Sequence, residues 1–208
     1  MTIAVIGTGN MGAGLARMLA EAGSDVVIGH HDPAKAAALA AELGANVEAG
    51  GVAAAVKLAD IVILALPYGA VADVLKEAGD LKGKVLVDIS NPVTPDFRGL
   101  VVGHSTSAAE EIQALAPGAK VVKAFNTIFA QLLPVEARKG KALQVFIASD
   151  DERAKDAVSR LAASAGFEPV DAGPLANARF IEPIGEMNIH FGFFLGKGPS
   201  VAPAWVQI

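Results

Sequence analysis

The chain has 208 residues, no cysteine and a formal net charge of −5 from 17 basic and 22 acidic side chains. Without thiols, disulfides, zinc–thiolate sites, iron–sulfur clusters and cysteine nucleophiles are excluded. The acidic balance, with no basic run of four, speaks against nucleic acid, whose phosphates need a clustered cationic face.

The elements read off in chain order alternate between short apolar runs and alanine-rich periodic stretches. Ile3–Ile6 is apolar throughout, as a strand buried on both faces should be. Met11–Ala22 follows as a helix, with Leu15, Met18, Leu19 and Ala22 at helical spacing, and Gly23 ends it. A strand is expected over Asp25–Ile28. Pro33–Leu43 then reads as a helix, with Asp32 as N-cap, Pro33 at the first helical position and Gly44 closing it. Further strands are expected over Ile61–Leu66, Val85–Ile89, Val121–Ala124, Leu143–Ala148 and Phe167–Asp171. Helices are expected over Gly69–Ala78, Ser107–Ala116 and Asp151–Ala165, and Ser107 with Glu110 fits a capping box. Leu175–Leu195 reads as helical but broken or kinked at Pro183 and Gly185. The last residues, 196–208, read as an extended tail.

This alternation predicts an α/β fold, a mostly parallel doubly wound sheet with helices on both faces. Residues 1–171 form the expected dinucleotide-binding domain, and 172–208 a helical segment and tail that contacts a partner subunit or an acceptor. Charge-free stretches such as Ile61–Ala72 fall short of the roughly 20 apolar residues of a membrane span. The start at Met1 has no basic leader, so a cytoplasmic protein without a membrane partner is expected.

The strongest chemical signal is Gly7-Thr8-Gly9-Asn10-Met11-Gly12, directly after the first strand and opening the first helix. In that context Gly7 permits the turn, Gly9 lets backbone approach a diphosphate, and Gly12 allows close helix–strand packing. The helix start offers free amides and the positive end of its dipole. The end of the second strand chooses the cofactor, an acid there holding ribose hydroxyls and a base the NADP phosphate. It reads His30-His31-Asp32-Pro33-Ala34-Lys35. Asp32, about 20 residues past Gly12, has the NAD-like spacing, but it is also a helix start. His30, His31 and Lys35 together would surround a phosphate. Metal is not expected at the histidine pair, because neighbours on a strand point to opposite faces. Leu66, Pro67 and Tyr68, then Asn91 and Pro92, then Asn126 and Thr127 follow the carboxyl ends of strands, where open α/β sheets bind ligands.

Three stretches together resemble the NADPH-dependent coenzyme F420 reductase family. They are the Gly7–Gly12 turn, Lys123-Ala124-Phe125-Asn126-Thr127-Ile128, and Asp171-Ala172-Gly173-Pro174-Leu175-Ala176-Asn177-Ala178-Arg179. The glycine turn is common to many dehydrogenases; the other two are the specific part, and order and spacing agree over nearly the whole chain. The cytoplasmic oxidoreductase domain of the STEAP metalloreductases is similar too, with a flavin as electron partner. The resemblance implies a Rossmann fold, a homodimer, and hydride transfer between NADP and a deazaflavin (F420) or flavin (FMN or FAD). It implies that Thr8, Asn10 and Met11 line the dinucleotide with the three glycines, and that His30, His31 and Lys35 stand where the 2′-phosphate is held. The family's usual serine–arginine pair is here His30-His31, which leaves NAD open beside NADP.

Direct hydride transfer between two stacked rings needs no nucleophile, so no catalytic side chain is assigned. Ser105, His104 and Asp88 lack the elbow of a hydrolase. Lys123 reads as structural or cofactor-contacting rather than as a catalytic amine, and His190 as a satisfied buried histidine. Met187, Ile189, Phe191, Phe194 and Leu195 read first as core, with a subunit interface or a wall for a flat ring as alternatives. Two other functions stay open: reduction of a small imine or hydroxy acid, for which the residues after the last strand are few, and non-enzymatic NAD(P) sensing.

Overall fold

The computed structural model describes residues 1–44 and 46–208. Six apolar strands, β1 (Thr2–Ile6), β2 (Asp25–Gly29), β3 (Val47–Gly50), β4 (Ile61–Leu64), β5 (Val85–Asp88) and β6 (Lys120–Lys123), form a parallel sheet in the order β3-β2-β1-β4-β5-β6. Register aligns their carboxyl ends: Ile6 lies beside Gly29 and Leu64, Leu64 beside Asp88, and Asp88 beside Lys123. The order reverses between β1 and β4, and such a switch point opens a crevice at the carboxyl edge.

Side chains alternate across the sheet and build a core on each face. Ile3 and Val5 of β1 face helices α1 (Asn10–Glu21), α2 (Pro33–Leu43) and α6 (Glu152–Ser164); Ala4 and Ile6 face α3 (Val52–Leu58), α4 (Tyr68–Ala78) and α5 (Ala108–Leu115). This is the expected Rossmann-like fold. Strands β7 (Gln144–Ile147) and β8 (Glu168–Asp171) pair parallel with each other. They join β6 antiparallel through two bonds between the amides and carbonyls of Lys123 and Ala148, at 2.9 and 3.0 Å.

Three helix starts match their caps. Asp32 accepts from the Ala34 amide, Ser107 from Glu110 and Asp151 from Ala154. The Asp32 carboxylate is therefore the helix cap. The Glu110 side chain takes the Ser107 hydroxyl rather than the Ser107 amide, so the capping box closes differently from expectation.

Among the strands and α-helices of the described residues, two have no counterpart in the sequence, β3 and α3. The edge strand β3 buries only Val47 fully, and α3 is short, starts at Gly51 without a side-chain cap and packs through Val52, Ala55 and Val56. Of the break or kink expected at Pro183 and Gly185, the break does not occur. Helix α7 (Ala178–Ile189) runs through both, because Ala178, Ile181, Glu182, Gly185 and Asn188 are buried along one face and tertiary packing outweighs the proline. A π turn, His190–Phe194, ends it. The tail after Gly196 is extended, tied to β7 where the Trp205 amide meets the Gln144 side chain at 2.6 Å. Among the described residues, no helix is long and apolar enough to cross a membrane.

Candidate functional site

At the first turn, the surrounding chain itself requires two of the three glycines. Gly7 has φ of +117°, and a Cβ there would lie 2.4 Å from the Ala65 carbonyl oxygen. A Cβ on Gly12 would lie 2.1 Å from the Gly7 carbonyl oxygen. Gly9 differs. Its φ of −71° and ψ of −177° suit any residue, and a Cβ there would meet nothing within 4 Å. No described protein atom requires a glycine at this position. Helix α1 begins here with no side-chain cap and no acidic residue in its first turn. Its first intrahelical bond runs from the Ala13 amide to the Gly9 carbonyl at 2.8 Å. The amides of Asn10, Met11 and Gly12 precede it and by helix geometry have no carbonyl to meet. The bend is therefore an anion cradle of backbone donors, and the residues fit a dinucleotide diphosphate. Thr8, Gly9, Asn10 and Met11 are at least partly exposed around it.

Past the carboxyl end of β2 stand His30, His31 and Lys35. The strand ends at Gly29, so the histidines do not point to opposite faces as expected; their rings lie 4.1 Å apart at 33°. The Asp32 amide donates to His30 Nδ1 at 2.9 Å. Burial, then the neighbouring His31, lowers the His30 pKa below the ordinary histidine value.

Leu66 and Pro67 lead from β4 into α4, with Pro67 at the N-cap. After β5 and β6, Asn91 and Asn126 form a reciprocal pair. Asn91 Nδ2 donates to the Asn126 carbonyl at 2.8 Å, and Asn126 Nδ2 donates to Asn91 Oδ1 at 2.7 Å and to the Ile181 carbonyl at 3.1 Å. Phe125, buried, takes a left-handed φ of +60° to turn the chain into this pair. Helix α7 lies so close that a Cβ on Gly185 would fall 2.3 Å from Asn91 Oδ1, so this glycine serves close approach. Asn188 Nδ2 donates to the Thr127 carbonyl at 3.1 Å.

A cleft of about 390 Å³ brings Asn10 and Met11 together with Asn91, Asn126 and Thr127. Phe97, Phe129, Phe193, Gly185 and Ile189 also line it; of these the sequence pointed to Ile189, and to Gly185 only as a helix breaker. Phe193 meets Phe129 edge to face at 5.4 Å. No Asp, Glu, Lys, Arg or His is among the described residues that line it. Gly7, Thr8, Gly9, His30, His31, Leu66 and Pro67 lie outside this cleft, on the turns after β1, β2 and β4, as do Gly12 in α1 and Lys35 in α2. A second hollow of about 400 Å³, lined by Leu75, Lys76, Lys82 and Pro117, lies at the opposite edge of the sheet, where β5 and β6 begin.

Lys123 is fully buried. Its Nζ lies 2.7 Å from Asp88 Oδ2, 2.9 Å from Glu182 Oε1 and 2.6 Å from the Ser90 carbonyl. Glu182, on α7, also accepts from the amides of Ala108 and Ala109 at 3.0 and 3.2 Å, capping α5 from a distance. Burial raises the Glu182 pKa, and Lys123 pulls it back in part. Lys123 is thus a structural cation, and Asp88 is committed to it and to the Ser90 amide, which ends any triad reading. Glu182 was missed because its partners lie far away in sequence and no local spacing announces them.

Two readings of α7 and its end are corrected. His190 is partly exposed, 3.3 Å from Glu186 and stacked on Phe194 at 4.7 Å. Of the residues first read as core, Met187, Phe191, Phe194 and Leu195 are exposed and Ile189 is half-buried, so they are not core. Both Glu186 carboxylate oxygens are buried without a hydrogen-bond partner, and burial raises this pKa. The folded carboxyl then holds its proton more tightly than the unfolded one, so native stability falls as pH rises out of the ordinary carboxylate range. Glu186→Gln is expected to add about 1 kcal/mol at neutral pH, a gain that disappears on acidification. Thermal denaturation at both pH values checks this.

Residues 2–92 match the model of a family described as NADP oxidoreductase, coenzyme F420-dependent. The chain is 37% identical over 207 residues to the F420-dependent NADP reductase of Methanothermobacter marburgensis, covering 88% of this chain and 89% of that one. It is 35% identical over 182 residues to Metalloreductase STEAP3 of Rattus norvegicus, covering 88% of this chain but only 36% of that one. A crystal structure of a putative F420-dependent NADP-reductase from Arthrobacter sp. FB24 superposes with a TM-score of 0.90 at 31% identity, covering all of both chains. Because the match to the archaeal reductase spans nearly all of both proteins, this chain belongs to the coenzyme F420-dependent NADP oxidoreductase family.

Proposed function

We propose that the protein is an NADP(H)-dependent oxidoreductase that passes a hydride between the nicotinamide ring and a deazaflavin or flavin. The observation that carries the reading is Gly9, a glycine that packing does not require, at the uncapped start of α1. The Asn10, Met11 and Gly12 amides would hold the diphosphate, and His30, His31 and Lys35 would meet the adenosine ribose end. Asn91, Asn126 and Thr127 would border the nicotinamide. The bound dinucleotide supplies the hydride chemistry itself. The chain's part is to place two flat rings face to face in a cleft walled by Phe97, Phe129 and Phe193 and to keep water out. Reduction of a small carbonyl or imine calls for a proton donor beside the reacting carbon, and the lining offers no acidic, basic or histidine side chain.

The exposed Phe180, Phe191, Phe194 and Leu195 suit burial against a second copy of the chain. Mixing the protein anaerobically with NADPH and, in turn, F420, FMN, FAD and riboflavin tests the reading by absorbance. NADPH-dependent bleaching of at least one acceptor is expected; bleaching of none overturns it.

A further inference from the structure

The ribose end of the site departs from a fixed-charge phosphate pocket. Lys35 brings one positive charge, and Asp32, already capping α2 through the Ala34 amide, brings one negative charge. From the neighbouring β3 and α3 come backbone groups only: the His30 amide donates to the Gly50 carbonyl at 3.2 Å, and Gly51 opens α3. With both imidazoles neutral, the formal charges of Lys35 and Asp32 cancel, and a 2′-phosphate gains little over a 2′-hydroxyl. The two rings differ in what they can do. His30 Nδ1 is occupied as an acceptor of the Asp32 amide, so a hydrogen on that nitrogen would break the bond. His31 is exposed and lies 4.1 Å from the His30 ring, on the same side of the turn.

We propose that His31 sets the choice between NADPH and NADH: carrying a proton it pairs with the 2′-phosphate, and without one it leaves the two dinucleotides nearly equal. This inference rests on the dinucleotide reading above. A histidine changes its charge between pH 5 and 8, and a bound phosphate dianion favours the charged ring. Affinity for NADPH therefore rises as pH falls, while NADH, lacking the phosphate, responds little. The rise levels off near about pH 6, where the phosphate itself takes up a proton. His30 acts as a neutral platform that orients His31 and keeps the pair on one side of the loop. The device makes cofactor choice graded with acidity, where an arginine would make it constant.

The test is direct binding of NADPH and NADH, by calorimetry, at pH 8 and pH 6, for the native chain, His31→Gln and His31→Arg. The ratio of NADPH to NADH affinity is expected to rise about tenfold between pH 8 and pH 6 in the native chain. It should stay low and flat in His31→Gln, and high and flat in His31→Arg. A native ratio independent of pH, or a pH response retained in His31→Gln, overturns the proposal. Failure of both dinucleotides to bind at either pH overturns the dinucleotide reading itself, a result distinct from a flat ratio.

Discussion

Gly9→Ala is expected to fold as the native chain does and to lose dinucleotide affinity by about 100-fold. The two halves of this result come from different facts. A methyl at Gly9 meets no protein atom within 4 Å, and the backbone there is ordinary for any residue. The change in stability should stay within about 1 kcal/mol, the cost of a poorer N-cap. With the dinucleotide seated as proposed, the same methyl would occupy the approach of the diphosphate to the first amides of α1. Losing two charge-assisted hydrogen bonds, at about 1.5 kcal/mol each, corresponds to about two orders of magnitude in affinity. Gly12→Ala is the contrasting variant. Its Cβ would sit 2.1 Å from the Gly7 carbonyl oxygen, and a destabilisation of about 3 kcal/mol is expected from overpacking. Thermal denaturation and NADPH titration on both variants separate a glycine kept for the ligand from one kept for the fold.

Lys123→Met should be the most damaging single change to stability, about 3–5 kcal/mol, because it leaves Asp88 and Glu182 buried without their cation. The two carboxylates and one ammonium carry a net negative charge that the α5 amides of Ala108 and Ala109 help to offset. With the lysine gone, nothing pulls back the Glu182 carboxyl, which burial already holds above the ordinary carboxylate range. Such a group contributes stability at low pH that is lost as pH rises through the folded pKa. The Lys123→Met deficit should therefore shrink on acidification, and adding Asp88→Asn and Glu182→Gln should recover part of it at neutral pH. Denaturant unfolding across pH checks both statements. A deficit that does not change with pH would mean that lost packing, rather than orphaned charge, is responsible.

How far the sequence could be read depended on whether the deciding physics was local. The apolar runs of β1 and β4, the Asp32-Pro33 helix start and the Ser107 cap are local signals, and the structure carries them where they were read. Val47–Gly50 and Val52–Leu58 escaped notice because an edge strand with one fully buried side chain and a short alanine-rich helix have weak periodicity. Pro183 is a strong local signal that was overruled by a buried helix face. The histidine pair was misread because the alternation rule holds only inside a strand, and β2 stops one residue earlier. Among the cleft residues, Asn91, Asn126 and Thr127 followed from their places after strand ends, and Asn10 and Met11 from the family resemblance. Phe97, Phe129 and Phe193 did not, since they meet only when the loop after β5 and the end of α7 fold over the sheet. The Lys123–Glu182 pair depends likewise on docking α7 against β6.

A crystal structure of the protein with NADP⁺ tests the central claim most directly. The diphosphate is expected against the amides of Asn10, Met11 and Gly12 with Gly9 beneath it, the 2′-phosphate beside His31 and Lys35, and the nicotinamide facing the Asn91–Asn126 pair. A dinucleotide lodged elsewhere, or a Gly7–Gly12 bend left without phosphate at saturating cofactor, would contradict the account.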